Sequence, residues 1–257
     1  MPAAEWKVLA ASVTGGSHRL TGAPCQDASG WRAGPGMICL AIADGAGSRP
    51  RSEIGSRAAV DAVLDLLDAT TDPELATGDD PAPVTAWLRE ALAGARERLE
   101  HTAEESGATL DDYATTLAVA LLTGRFMGLA QIGDALAVAG DADGYRTVQP
   151  PPRHEYANAT TFLTASGYTD AVRLHVEPID GLTDLVLSTD GLRLQILEDL
   201  AASTPYADFF TDTCKYARDP AADEAAIERF LTDMPDQSGD DKSLLIAVRV
   251  PEGPGHA

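Results

Sequence analysis

The sequence predicts an α+β fold, one sandwich domain over residues 1–250 with a short tail, 251–257. Three observations predict it. Apolar residues recur at helical spacing in two separated groups, one between residues 52 and 102 and one between 192 and 231. Around and between these groups lie short apolar and β-branched runs bounded by Gly, Pro and Asp, the texture of strands joined by turns. No internal repeat and no linker-like stretch separates two cores. At 257 residues and 44% apolar content the chain can bury a large interior.

Each element has its own reason. Trp6 to Val13 reads as a strand that stops at Gly15-Gly16, and the stretch from there to Asp27, with His18, Arg19 and Gln26, reads as a loop. Met37 to Ala43 is an unbroken apolar run, and polarity switches abruptly at Asp44-Gly45. That is the pattern of a strand buried on both faces, delivering Asp44 to its C-terminal end. Gly45 and Gly47 lack a Cβ and let the backbone approach a ligand closely. Ser52 is expected to cap a helix running to about Asp68, with Ile54, Ala58, Ala62 and Leu66 on one face. Thr70 to Pro83 reads as a surface loop, and Val84 to Thr102 as a second helix whose buried stripe is Trp87, Leu88, Ala91, Leu92, Ala95 and Leu99.

From Tyr113 the texture changes. Ala114–Leu122, Phe126–Gly133, Ala135–Ala139 and Tyr145–Val148 read as a meander, ended by Pro150-Pro151-Pro152. Asp141-Ala142-Asp143-Gly144 is a hairpin turn. It opens like a calcium-binding loop, but Pro152 stands at the twelfth position, where a Glu is needed. Further strands are expected at Thr160–Thr164, Val172–Val176, Leu185–Ser188 and Ser243–Val250. A helical region from Leu192 to about Leu231 is broken at Pro205 and Pro220, with Phe209, Phe210, Ile227 and Phe230 as buried candidates.

Charge and composition exclude several functions. The net charge of −21 disfavours nucleic acid and anionic membranes, which require clustered Lys and Arg. No apolar run approaches the roughly 20 residues of a membrane span. The N-terminus has no cationic stretch ahead of an apolar one, so no secretory leader is expected. Three unpaired cysteines, Cys25, Cys39 and Cys214, fit a reducing cytoplasm, with Cys39 a small core hydrophobe. There is no G-x-x-x-x-G-K-[ST] phosphate loop and no G-x-S-x-G elbow.

What the chain has instead is carboxylates at strand ends. Asp44-Gly45 follows one strand, Gly133-Asp134 another and Asp190-Gly191 a third; Gly239-Asp240-Asp241 precedes the last, and Asp27 precedes the first central one. Crowded carboxylates repel and raise one another's pKa unless a cation sits among them. An all-oxygen set suits Mg²⁺ or Mn²⁺ and not zinc or copper.

The ordered set Gln26-Asp27, Ala43-Asp44-Gly45-Ala46-Gly47-Ser48, Ala114-Thr115-Thr116, Ile132-Gly133-Asp134, Ser188-Thr189-Asp190-Gly191 and Gly239-Asp240-Asp241-Lys242-Ser243 resembles the PP2C (PPM) family of metal-dependent protein serine/threonine phosphatases, in its bacterial form. The resemblance implies a four-layer α/β-β/α sandwich, two antiparallel sheets flanked by helix pairs. It implies a site with two Mn²⁺ or Mg²⁺ ions, bridged by Asp44 and held also by the Gly45 carbonyl, Asp190 and Asp240, with Asp27 orienting metal-bound water and Asp134 serving a weaker third ion. It implies metal-dependent hydrolysis of phosphoserine or phosphothreonine in a protein substrate, opposing a bacterial kinase; a cytoplasmic location, from the cysteine usage, and a monomer are separate expectations. Two positions depart from the family pattern. Leu194 stands where many members carry an Asp for the third metal. The phosphate-clamping Arg has no direct counterpart: Arg19 is the first candidate, and Arg49 and Arg51 are its rivals. A catalytically weak binding module and a small-phosphoester hydrolase are the alternative readings.

Overall fold

A computed structural model of the chain describes residues 6–150 and 160–250. In chain order the elements are β1 (Trp6–Val13), α1 (Gly16–Thr21), β2 (Asp27–Gly34), β3 (Met37–Asp44), α2 (Ser52–Ala69), α3 (Pro73–Thr77), α4 (Ala82–Ser106) and a 3₁₀ turn, Leu110–Tyr113. Then come β4 (Leu117–Leu122), β5 (Phe126–Ile132), β6 (Leu136–Asp141), β7 (Gly144–Thr147), α5 (Tyr168–Ala171), β8 (Arg173–Pro178) and β9 (Asp184–Ser188). A second 3₁₀ turn, Asp190–Leu192, leads to α6 (Arg193–Ile196), β10 (Leu197–Asp199), β11 (Thr204–Pro205), α7 (Ala207–Arg218), α8 (Glu224–Asp233) and β12 (Lys242–Arg249).

Two five-stranded antiparallel sheets form the centre. One runs β1-β12-β9-β6-β7 and the other β2-β3-β4-β5-β8. Side-chain alternation along each strand sorts residues into layers. In β3, Cys39, Ala41 and Ala43 face α2 and α4, while Leu40 and Ile42 face the opposite sheet. In β12, Leu244, Ile246 and Val248 face α7 and α8, while Leu245 and Ala247 face inward. The result is helix pair, sheet, sheet, helix pair, as the family resemblance implies. Much of the layer between the sheets is alanine: Ala118, Ala120, Ala135, Ala137, Ala139 and Ala247 are all buried there. Continuing the same alternation past the apolar core puts Asp44, Asp27, Thr116, Gln131, Thr189 and Ser243 on the inner faces, at one end of the sandwich.

Several expectations need correction. The stretch before β3 is not all loop: α1 and the whole of β2 lie within it. β2, DASGWRAG, hides because it is an edge strand with two glycines and a largely exposed far end. Gly30 lets α2 pack closely, since a Cβ there would sit 2.9 Å from Leu64 and that side chain would have to shift. Ser52 is the first helical residue, not the cap; Arg51 holds the cap position with no side-chain capping bond. The buried stripe of α2 is Ala59, Val60, Val63, Leu64 and Leu67, with Ala58, Ala62 and Leu66 flanking it and Ile54 exposed. The expected loop 70–83 contains α3, started by Asp72 accepting from the Glu74 N–H at 2.9 Å.

The expected meander splits, because β4 and β5 pair in one sheet while β6 and β7 pair in the other. Residues 160–164 form no strand; that segment docks through Leu163, whose N–H donates to Thr115 at 2.8 Å and whose side chain enters the core. The helix expected from Leu192 is one turn that gives way to β10. Phe210 and Ile227 are buried as expected, but Phe230 is largely exposed. Pro151, Pro152 and the 251–257 tail lie outside the described residues. Among the described residues, no helix is long and apolar enough to cross a membrane.

Candidate metal centre

Strand ends bring the acidic residues together. β2 and β3 pair with Asp27 directly opposite Asp44, so both side chains project from the same face. The Asp44 backbone is fixed by β4: its N–H donates to Thr116 Oγ1 at 2.9 Å, and its carbonyl accepts from the Thr116 N–H at 2.8 Å and from Thr115 Oγ1 at 2.9 Å. The Gly45 N–H donates to the Gln26 carbonyl at 3.1 Å. A Cβ on Gly45 would fall 2.6 Å from that carbonyl oxygen and 2.7 Å from the Ser52 carbonyl oxygen, so the turn closes this tightly only with glycine. Asp134 follows β5 after Gly133, whose φ of +102° lies in a region that side-chain-bearing residues avoid. Asp190 leaves β9 on the 3₁₀ turn. Gly191 then packs on the Asp240-Asp241 backbone so closely that a Cβ would sit 1.8 Å from the Asp241 carbonyl oxygen.

Asp44, Asp134 and Asp190 each present a carboxylate oxygen, and these oxygens lie within 4.8 Å of one another. Burial holds the Asp44 carboxyl well above the ordinary carboxylate range, and the charges of Asp27, Asp190, Asp240 and Asp134 push it further. Asp190 is pushed up to about 6 by burial, then by Asp134 and Asp240. Asp240 is not part of the tight trio; its charge nevertheless raises Asp27, Asp44 and Asp190, which places it at the rim of the same group. Partly buried carboxylates facing one another are unfavourable alone and favourable around a divalent cation. The donors are all oxygens, so the set fits Mg²⁺ or Mn²⁺.

Asp27 is buried and pushed up to about 8. Burial is the main cause, with Asp241 and Asp240 adding repulsion and the Thr189 and Ser243 hydroxyls pulling the other way. Asp241, which sequence reasoning passed over, is a buried anchor. Its carboxylate accepts the Gly15 N–H at 2.7 Å and the Gln26 N–H at 2.6 Å, and meets His18 Nδ1 at 2.9 Å. Lys242, fully buried, donates to the Leu231 and Met234 carbonyls at the end of α8. Adjacent residues of the turn thus point into the site, into the N-terminal segment and into the helix layer.

The arginines divide. Arg19 is half-exposed on α1, donates to the Thr14 carbonyl and approaches Asp236 at 3.8 Å. Arg49 is paired with Asp111 at 2.8 Å, and Arg51 donates to Tyr113 Oη at 2.8 Å. Two arginines that sequence reasoning missed lie nearer the carboxylates. Arg193 pulls the Asp190 carboxyl down, and Arg173 donates to the Gly133 carbonyl at 3.1 Å and faces Asp134. Arg193 was legible as the cation three residues past Asp190; Arg173 was not, since only strand pairing brings it to Gln131 and Gly133. Leu194 is exposed. Cys25 is half-buried, its thiol pushed up to about 12 by burial and by Asp241 and Asp27.

Comparison with known proteins agrees with this geometry. A family model described as Protein phosphatase 2C matches residues 14–232, a span that includes Asp27, Asp44, Asp134 and Asp190 and stops short of Asp240. Serine/threonine-protein phosphatase 3 of Escherichia coli (strain K12) is 28% identical over 215 residues, covering 80% of this chain and 81% of its own. The serine/threonine phosphatase Stp1 from Staphylococcus aureus superposes with a TM-score of 0.68 at 17% identity, over 97% of this chain and 96% of its own. The catalytic domain of the serine/threonine protein phosphatase PstP, solved in complex with two manganese ions, superposes with a TM-score of 0.65 at 18% identity, over 96% of this chain and 99% of its own.

Proposed function

The chain belongs to the protein phosphatase 2C family, and from that premise we propose that it hydrolyses phosphoserine and phosphothreonine in proteins, using two Mn²⁺ or Mg²⁺ ions. The observation that carries the reading is the convergence of the Asp44, Asp134 and Asp190 carboxylate oxygens, with burial and neighbouring charge raising Asp44 and Asp190, an arrangement that a divalent cation would stabilise. In this reading Asp44, the Gly45 carbonyl, Asp190 and Asp240 hold the two ions, and Asp134 serves a weaker third that Leu194 does not support. Such ions, when bound, acidify water and neutralise charge on a phosphoryl group.

The chain's own residues do the rest. Asp27 holds a proton or a water next to Asp44, on the face the two share. Arg19, on the helix seated against the 239–240 turn, and Arg193, beside Asp190, supply positive charge for a phosphate that would otherwise meet a strongly acidic protein. No nucleophilic side chain is required, and the raised, partly buried Cys25 thiol is unsuited to be one. The proposal extends to a single catalytic unit over residues 1–250, acting as a cytoplasmic monomer on the products of a bacterial serine/threonine kinase.

The test is hydrolysis of a phosphothreonine peptide in EDTA and then with Mn²⁺ restored, with p-nitrophenyl phosphate alongside. Activity on the peptide that appears only with the metal is the expected result. Cleavage of the small ester alone would shift the assignment to a small-phosphoester hydrolase. Mn²⁺ binding with cleavage of neither would make the protein a binding module.

A further inference from the structure

Asp27 is held in an unusual way for a buried carboxylate: among the described residues no cation pairs with it, and hydroxyls surround one of its oxygens. Oδ2 accepts from Thr189 Oγ1 at 2.7 Å and from Ser243 Oγ at 2.9 Å. Ser243 Oγ lies 2.6 Å from Ser12 Oγ, and Ser12 Oγ lies 2.9 Å from Ser29 Oγ. Thr189 is itself oriented, because its Oγ1 accepts the Ser243 N–H at 3.1 Å. The four hydroxyls come from β1, β2, β12 and the residue after β9, so the chain leaves β2 at Asp27, passes through the other sheet and returns to β2 at Ser29. It runs from fully buried Asp27, Thr189 and Ser243 out to the half-buried Ser12 and Ser29.

A hydroxyl carries one proton, so it can donate once. Ser243 Oγ has one proton and two acceptors, Asp27 Oδ2 and Ser12 Oγ, so its choice between them sets how Ser12 and then Ser29 turn. The orientation of each hydroxyl therefore fixes the next. Hydrogen bonds in such a series reinforce one another in a low-dielectric interior. Among the described residues no hydrogen bond reaches Asp27 Oδ1, which leaves that oxygen available on the face shared with Asp44.

We propose that Ser243, Ser12 and Ser29, with Thr189, form a hydroxyl chain that positions the Asp27 carboxylate, pinning Oδ2 so that Oδ1 is presented to the reacting water. Ser12 and Ser29 are then positioning residues for hydrolysis although neither reaches the carboxylate cluster. The inference rests on the role given to Asp27 above.

The test is a double-mutant cycle on the metal-loaded protein. Ser12→Ala and Asp27→Asn are made singly and together; kcat and KM are measured with the phosphothreonine peptide, and Mn²⁺ affinity by calorimetry. Ser243→Ala should lower kcat on the order of 10-fold, the effect of removing an orienting partner. Ser12→Ala should lower it about 3-fold with KM unchanged. In the Asp27→Asn background Ser12→Ala should then have no further effect on kcat or on Mn²⁺ affinity, because its route of action is gone. Ser243→Thr, which keeps the hydroxyl, should restore most of the loss. Full additivity in the cycle would overturn the chain. An Asp27→Asn enzyme equal to wild type would overturn instead the role of Asp27 on which the chain depends. Should Ser12→Ala fail to fold, Ser29→Ala at the half-buried end takes its place in the cycle with the same expectations.

Discussion

β9 is acidic at both ends, and the two ends are treated in opposite ways. At its start Asp184 is buried, but Arg218 donates to Oδ1 and Thr183 Oγ1 donates to Oδ2 at 3.0 Å. Just past its end Asp190 faces Asp44 and Asp134, with Arg193 offering only partial relief. Six residues apart in sequence, one carboxylate is neutralised by the protein and the other is crowded by its own kind. Burying a charge is costly in both places. A fold that can place an arginine at one end and places carboxylates at the other has left the second site to be completed from outside.

Breaking the crowded end should have the largest effect. Asp44→Asn should lower Mn²⁺-dependent hydrolysis of the phosphothreonine peptide by more than about 100-fold, beyond the loss typical of an outer partner. The metal-free variant should melt at the same temperature as wild type or higher, because one of several repelling charges is gone. Steady-state assay and calorimetry read both, and retained activity would remove Asp44 from the site. Breaking the neutralised end should do the reverse. Arg218→Met leaves Asp184 buried without its cation, at a cost of about 3 kcal/mol by urea unfolding. The figure sits low in the range for buried pairs because the Arg218 side chain is 33% exposed. Mn²⁺ affinity should not move, and a shift would mean that the two ends are not independent.

The pH dependence of the metal-free protein sharpens the comparison. Asp190 is raised to about 6 and Asp27 to about 8, so between about 4 and these values the folded state keeps protons that the unfolded chain has lost. Their contribution to stability is full below about 4 and drains away as pH rises through 6 and then 8, by up to about 1.4 kcal/mol per pH unit for each group. Metal-free urea midpoints in EDTA should therefore fall between about pH 5 and pH 8, and Asp27→Asn should flatten the upper part of that slope. Equal slopes for the two proteins would show that Asp27 does not hold its proton in this way.

What could be read from the sequence follows from which physical signals are local. The run Met37–Ala43 with its abrupt Asp44 announces a buried strand and its site end. The stripe from Trp87 to Leu99 likewise announces the face of α4, and every residue named in it is buried. The acidic strand ends Asp44, Asp134 and Asp190 were legible for this reason, each standing beside a glycine at the end of an apolar run, but that these three and not Asp240 form the tight group was not. β2 was not, because glycine and exposed residues erase its alternation. The pairing of β6 with β9 in preference to β5 was not, since a turn after Ile132 reads the same whichever sheet the chain enters next. The division of labour between Asp240 and Asp241 was hidden too. Adjacent residues of an extended segment point to opposite sides, and only the tertiary structure shows Asp241 collecting the Gly15 and Gln26 N–H groups. The serine chain is the extreme case. Ser12, Ser29 and Ser243 are unremarkable residues, joined by a register that no short window contains.

β12 sits between β1 and β9 and brings Asp240, Asp241 and Ser243 with it. At roughly 5–20 residues per second of synthesis, Asp240 is made about 10–40 s after Asp44. Until then β1 has no neighbour in its sheet, the N–H groups of Gly15 and Gln26 have no acceptor at Asp241, and Asp27 lacks one of its two hydroxyl donors. A ribosome-bound chain that already carries Asp44, Asp134 and Asp190 therefore still lacks these supports. They arrive together, when the last strand is threaded into the middle of its sheet.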